Sequence, residues 1–309
     1  MRRLGWLVAA RAVQAIGVLA FLTVLVFVIV RISGDPRHAI LPPDATPAQF
    51  QETGRRLKLD RPVWVQYAYY VRQLGSGDLG QSFYWNQPVT DVIGARIGAT
   101  LRLGVVAGLL TLGLSVPLAA VAALYRRGLM DIGIGYMALL GQSTPPFLLG
   151  LVLVEFFAVR WRVLPAAGDS GPRAYVLPAI TLALFQVAAI MRLLRAAMIE
   201  ELQSNYALMA RIKGQSKTRT LLVHVLRNAA GPALAYAGVE FIRAFLVGSI
   251  IVEAVFAWPG IGQLTYQSVI QRDYPVVQSL VLLFGIMFVL ASFAIDLLHA
   301  RLDPRLRSV

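Results

Sequence analysis

The sequence predicts an all-α integral membrane protein with six transmembrane helices. Three observations carry that prediction. Apolar residues make up 57% of the 309 residues, charged residues only 15%, and mean hydropathy is +0.65. A soluble domain carries about 25% charged residues, so a chain this poor in charge needs lipid around it. Second, six segments are apolar over the roughly 20 residues that a helix needs to cross a hydrocarbon core of about 30 Å. Third, the basic residues of a net charge of +13 cluster at alternate ends of those segments.

The first segment, Ala12–Val30, has no charged residue and follows Arg2, Arg3 and Arg11. It is read as an uncleaved signal-anchor helix, because its apolar run exceeds an ordinary signal h-region and no small-residue cleavage site follows. The stretch Ser33–Ile97 is polar and mixed in charge, with an amphipathic helix expected over Leu57–Leu74 from the spacing of Trp64, Tyr67 and Val71. Leu103–Leu124 and Ile132–Val154 form the second and third spans, Ala174–Met191 the fourth, Pro232–Val252 the fifth and Tyr274–Ile295 the sixth. Pro117, Pro145, Pro146, Pro178 and Pro232 interrupt them. Such breakers are tolerated where neighbouring helices or cavity water satisfy the freed carbonyl. They fit a packed bundle and bent helices around a moving pathway equally well.

With the N-terminus placed in the cytoplasm, the cytoplasmic segments hold Arg2, Arg3 and Arg11; Arg126 and Arg127; Arg192 to Arg227; and Arg301, Arg305 and Arg307. Basic residues near span ends are retained inside during insertion, which accounts for the charge without a nucleic-acid partner. Cysteine is absent and only His38, His224 and His299 are present. Disulfides and thiolate metal sites are thereby excluded, and most histidine-based schemes are removed.

The most informative segment is Ala196–Gly231. Helical periodicity over Ile199–Lys213 places Leu202, Tyr206, Met209 and Lys213 on one stripe, and Gly214 fits a C′ position. A second helix is expected over Lys217–Asn228. The result is an elbow in the cytoplasm. It suits an amphipathic hairpin at the lipid interface as well as a lever that docks on a partner.

The residues Tyr206 to Gly214 (YALMARIKG), followed by His224 to Asn228 (HVLRN), resemble the EAA-type coupling loop of ABC importer permeases. The similarity is to the dipeptide/oligopeptide/nickel branch. Three further blocks agree in order: Leu59 to Tyr67 with Gly77 to Ser82, Val252 to Gly262 with Arg272 to Pro275, and Leu302 to Arg305. The resemblance implies the type I ABC importer permease fold, with an extracytoplasmic segment between helices 1 and 2 and a cytoplasmic coupling helix between helices 4 and 5. It implies three parts: 1–95, first helix plus extracytoplasmic segment; 96–300, permease core; 301–309, cytoplasmic tail. The implied partners are a second homologous permease subunit, two ABC ATPase subunits and an extracytoplasmic substrate-binding protein, all at a bacterial inner membrane. ATPase coupling would rest on Tyr206, Met209, Ala210, Arg211, Lys213, Gly214, Arg227 and Asn228. The outer gate and the binding-protein docking surface would involve Trp258, Pro259, Gly260, Gly262, Asp273, Tyr274 and Pro275. Cargo among relatives of this kind includes peptides, glutathione, nickel complexes and certain sugars.

The chain contains no Gly-x-x-x-x-Gly-Lys-[Ser/Thr] phosphate loop. No cofactor is expected in it; ATP and Mg would be held by the partner ATPases, and the chain is not expected to be an enzyme. A membrane-embedded enzyme would need a nucleophile with a base, and no His lies inside a span. An ion-coupled secondary transporter could use Glu240, but no inverted repeat is detectable. Glu240 and Arg243 share a helix face and either pair internally or face the pathway, where they would meet zwitterionic peptide termini. Glu253 stands at the outer end of the fifth span, as a cap of the outer gate or in the headgroup zone.

Overall fold

The computed structural model describes residues 2–42 and 44–302, without the side chains at 2–10, 39, 232–236, 239–241, 243–244 and 295–302. The described residues are helical apart from turns and one isolated bridge between Gln81 and Pro88. In chain order the helices are α1 (Arg2–Ile32), α2 (Arg37–Ile40), α3 (Pro47–Arg56), α4 (Val63–Gly75), α5 (Val89–Leu124), α6 (Leu129–Ser143), α7 (Pro146–Leu153), α8 (Val176–Glu201), α9 (Asn205–Ile212), α10 (Lys217–Arg219), α11 (Leu226–Val255), α12 (Ile261–Ile270) and α13 (Tyr274–Leu302).

Four of the described helical stretches are long and apolar enough to cross a membrane: Arg11–Ile32, Val89–Leu124, Pro172–Glu201 and Tyr274–Ala294. The α6–α7 pair makes a fifth if counted as one span. The span expected over Ile132–Val154 is interrupted at the Pro145–Pro146 breakers. The chain bends by 102° between the two helices. Pro145 and Pro146 lack amide protons, and a residue before proline avoids the α region; Thr144 accordingly takes ψ 120° and Pro145 ψ 137°. The expected span Pro232–Val252 falls within α11, whose described apolar part is Phe245–Val255.

The amphipathic helix expected over Leu57–Leu74 begins only at Val63, as α4; the residues before it form the turn that follows α3. Thr46 caps α3 in a reciprocal box with Gln49, Pro47 occupying the first turn. The helix stops at Leu57 because Lys58 turns to φ 56° and Pro62 forbids continuation until α4. Residues 301–302 continue α13, and the rest of the expected tail lies outside the described residues.

The chain divides into two compact units, residues 1–99 with 260–290 and residues 100–259 with 291–309. In the first, Val89, Val92 and Ile93 at the start of α5 pack with Ile261, Leu264, Val276 and Leu280. There α1 meets α4 through Thr23 Oγ1 and Tyr67 Oη at 2.9 Å and through the Phe27 and Tyr67 rings at 5.3 Å. In the second, α8 is the internal helix and packs mainly on α6 and α11. Within the apolar window of the α8 stretch 67% of residues are buried, against 17% for α1, so α8 is shielded by its own chain and α1 is largely exposed. The seam is small: Ala119, Ala120 and Ala123 of α5 meet Ala188, Met191, Leu194 and Met198 of α8, letting backbones approach closely.

Candidate functional site

The elbow between α8 and α11 is assembled from backbone capping. The first arm does not run unbroken from Ile199 to Lys213: α8 ends at Glu201 and the chain turns through Leu202 and Gln203. Ser204 then caps α9, its Oγ accepting the Ala207 amide at 3.4 Å. At the far end Gly214 takes φ 82°. Its amide donates to the Arg211 carbonyl at 2.9 Å and the Gln215 amide to the Ala210 carbonyl at 3.1 Å, which is a Schellman motif. A Cβ at Gly214 would meet nothing within 4 Å, so the demand for glycine comes from the backbone alone. Ser216 caps the next turn by accepting the Arg219 amide, and His224 Nε2 lies 3.0 Å from Gln215 Oε1. The second arm is not a separate helix. It passes from α10 through a π-helical stretch, Thr220–Val225, directly into α11.

These caps decide which way α9 faces. Ala207 and Ala210 are buried, Ala207 within the same cluster as Met198, Leu221 and Val225. Ala210, expected in the coupling contact, is buried as well, so its side chain does not point outward in this chain. The other positions are exposed: Leu208 55%, Met209 53% and Ile212 70%, with Arg211 and Lys213 beside them. Arg227 and Asn228 are exposed at the start of α11. The Tyr206 hydroxyl donates to Glu201 Oε2 at 2.5 Å, and the Asn228 side chain bonds to the same phenol. Burial pushes the phenol pKa up; the Glu201 bond adds to this and the Asn228 bond opposes it.

An ion pair that the sequence reading missed stands at the base of this unit. Arg195 of α8 forks onto Asp131 of α6, Nε to Oδ1 and Nη2 to Oδ2, both at 2.6 Å, and the Arg127 amide donates to Oδ2 at 2.9 Å. Asp131 is buried. The available signal was an acidic residue in the first turn of a helix after Gly128, a position that favours a carboxylate.

The residues expected at an outer gate are largely internal and belong to the two units separately. In the second unit Trp258 is fully buried against Tyr175, rings 4.6 Å apart, and its amide donates to the Glu253 carbonyl at 2.9 Å. Glu253 is also fully buried and accepts the Thr100 hydroxyl at 2.7 Å. Pro259 follows Trp258 as the last residue of that stretch. In the first unit Gly260 caps α12 and Gly262 is buried inside it. Asp273 is fully buried: Ser82 Oγ donates to Oδ2 at 2.5 Å, and the Phe83 and Tyr84 amides donate at 3.2 Å. Tyr274 is buried and Pro275 half-buried. Trp258, Asp273 and Tyr274 are packed inside their own units. Glu240 and Arg243 stand in α11, but their side chains lie outside the described ones. No cluster of metal-ligating side chains occurs among the described residues.

Among the described residues, helices with several apolar spans and a short exposed elbow helix define a multi-pass membrane protein. Comparison with known proteins makes that class specific. The family model described as "Binding-protein-dependent transport system inner membrane component" matches residues 115–308, and the chain belongs to that family. The glutathione transport system permease protein GsiC of Escherichia coli O6:H1 (strain CFT073) is 36% identical over 302 residues, covering 97% of this chain and 98% of its own. A peptide transport system permease of Brucella abortus (strain 2308) is 36% identical over 310 residues with the same coverage. Among solved structures, an inward-facing form of the MetNI methionine ABC transporter aligns with TM-score 0.57 and 19% identity over 69% of this chain and 96% of that one. A chain of an amino acid ABC transporter aligns with TM-score 0.54 at 17% identity, covering 69% and 94%. The fold is therefore that of type I ABC importer permeases. The protein is a permease component of an ATP-driven importer; hydrolysis resides on a separate subunit.

Proposed function

We propose that the protein forms half of the import pathway for a small peptide or a glutathione-like compound, and that α9 transmits the force of ATP hydrolysis to it. The observation that carries this reading is the open face of α9. Leu208, Met209 and Ile212 are exposed beside Arg211 and Lys213 on a helix whose two ends are fixed by Ser204 and Gly214. A helix held at both ends but apolar on its free face is suited to a groove on a partner and moves as a rigid piece. The cargo class rests on the names of the 36%-identical relatives. In this reading a second permease completes the pathway, two ATPases engage the elbows from the cytoplasm, and a substrate-binding protein delivers cargo from outside. Both termini are cytoplasmic in the inner membrane. The basic residues around α9, Arg211, Lys213, Lys217 and Arg219, support that orientation.

The chain has no cysteine, so an introduced one is unique. Met209→Cys in membranes containing the whole importer should crosslink to an ATPase subunit and resist a membrane-impermeant maleimide added from outside. Labelling from outside, or cargo uptake by this chain without any ATPase, would overturn the reading.

A further inference from the structure

The first unit encloses a cavity of about 540 Å³ walled by α1, α4, the turn at 56–59, the loop at 78–86 and the start of α13. Its α1–α4 wall precedes the family-matched residues 115–308. Arg31 lies on this wall at the end of the apolar stretch Arg11–Ile32, which is headgroup depth whichever way the helix points. Its guanidinium sits 4.7 Å from the Phe27 ring centroid, and one terminal nitrogen donates to Gln66 Oε1. Its Nε is buried with no partner, and so is the Tyr70 hydroxyl on the same wall. Burial raises the Tyr70 phenol well above its ordinary pKa, so the hydroxyl keeps its proton.

The carboxylates nearby have hydrogen-bond partners of their own, although Asp35 is also close enough to act on Arg31 through space. Asp78 accepts the Gly80 amide at 2.9 Å and the Gln73 amide group at 3.3 Å, and Asp35 is held by Arg37, Nε to Oδ2 2.8 Å. Lys58 also faces the cavity, its ammonium 3.3 Å from the Tyr69 ring centroid. Three cationic side chains, Arg31, Arg56 and Lys58, line the space together with the two unpartnered donors, and an unpartnered buried donor is costly unless something accepts from it. Beside it the α1 surface is bare and apolar, with Ile16, Phe21 and Ile29 at 68%, 64% and 50% exposure.

We propose that this cavity binds a phosphate group, with Arg31 and Tyr70 donating to its oxygens, and that a phospholipid headgroup supplies it while the acyl chains run along α1. A free phosphate ester has the same chemistry, and the test separates the two sources. The delipidated full chain in detergent is titrated with phosphatidylglycerol or with diacylglycerol and read by native mass spectrometry. Phosphatidylglycerol should be retained and diacylglycerol lost. Arg31→Gln should weaken retention about tenfold, the worth of one charge-assisted hydrogen bond; Arg31→Lys should restore part of it and Tyr70→Phe should lower it severalfold. Displacement of the lipid by millimolar glycerol 3-phosphate would assign a soluble ester as a competent source; failure to displace assigns the headgroup. Equal retention of diacylglycerol, or unchanged retention in both Arg31→Gln and Tyr70→Phe, would overturn the site. Tyr70→Phe keeps the side-chain shape, so the test survives if Arg31→Gln fails to fold.

Discussion

The elbow around α9 and the junction around Asp273 are both short turns between helices, and both depend on hydrogen bonds to a few side chains. They differ in where those bonds leave the surface. At the elbow, Ser204, Gly214 and Ser216 satisfy helix ends and leave Leu208, Met209 and Ile212 open. At the junction, Asp273 accepts from Ser82, Phe83 and Tyr84 inside the protein, and its side chain has nothing left to offer outside. Both blocks stand out in the sequence for the same reason, a dense run of polar and glycine residues. The comparison teaches that such a run marks a conformational constraint. Only the exposure of the neighbouring apolar side chains separates a site that meets a partner from a fastening inside one unit.

Breaking the fastening should have the largest effect. Asp273→Ala leaves the Ser82 hydroxyl and two amides without their acceptor, a loss of roughly 3 kcal/mol at about 1 kcal/mol per group, the low end because the two amides are only part-buried. Thermal unfolding of the purified chain should show it, with Asp273→Asn intermediate; an unchanged unfolding temperature would mean that the junction holds nothing. Next comes Arg195→Ala, which strips the buried Asp131 of its fork. Removing one partner of a buried pair costs about 3–5 kcal/mol, and the half-buried state of Arg195 places this case near 2–3 kcal/mol. The double variant Asp131→Asn with Arg195→Gln should recover part of the loss, because no isolated charge remains. A double variant worse than both singles would deny the pairing.

The elbow should respond in the opposite way, with little loss of stability and a large loss of coupling. Gly214→Val places a β-branched residue at φ 82°, at a cost of about 1–2 kcal/mol, with no clash since the space is open. That energy shifts the population holding the turn by a factor of about 5–30. Cargo transported per ATP hydrolysed should fall accordingly, while insertion stays near wild type and the unfolding temperature drops by only a few degrees. Gly214→Asn, which tolerates left-handed backbone, should recover much of the transport. Normal transport by Gly214→Val would separate the turn from the coupling.

Legibility followed the range of the constraint. Gly214 was readable because a helical stripe followed by Lys-Gly specifies its own ending, and Tyr274–Ile295 because twenty apolar residues need no partner to declare a span. The α6–α7 break was half readable: Pro145 and Pro146 announce an interruption, but the 102° bend depends on what each half packs against. Leu57–Leu74 was misread because Leu57 and Leu59 extend the apolar spacing of α4 backwards, although Pro62 marks the true start. Three facts were out of reach. Ser82 and Asp273 are 191 residues apart, Asp131 and Arg195 are 64 apart, and no local pattern says that Trp258 folds inward onto Tyr175. The elbow stripe failed in one instructive respect. Helical spacing continued through Leu202, but the Ser204 cap resets the phase, so Ala207 and Ala210 and not Leu202 decide which side of α9 is buried.

The cap itself gives the smallest and most local test. Ser204 Oγ accepts the Ala207 amide at 3.4 Å, a long bond, so Ser204→Ala should cost about 0.5 kcal/mol, the low end for such caps. The loss should appear only in α9, as faster hydrogen exchange of the Ala207 and Leu208 amides, with the Ser216 turn unaffected. Ser204→Gly should lie between the two, since glycine is itself tolerated at this position. If exchange instead accelerated throughout α9, α10 and the start of α11 together, the elbow would open as one cooperative unit. The two ends of α9 would then not be fixed independently, and the rigidity attributed to the lever would belong to the whole segment from 204 to 228.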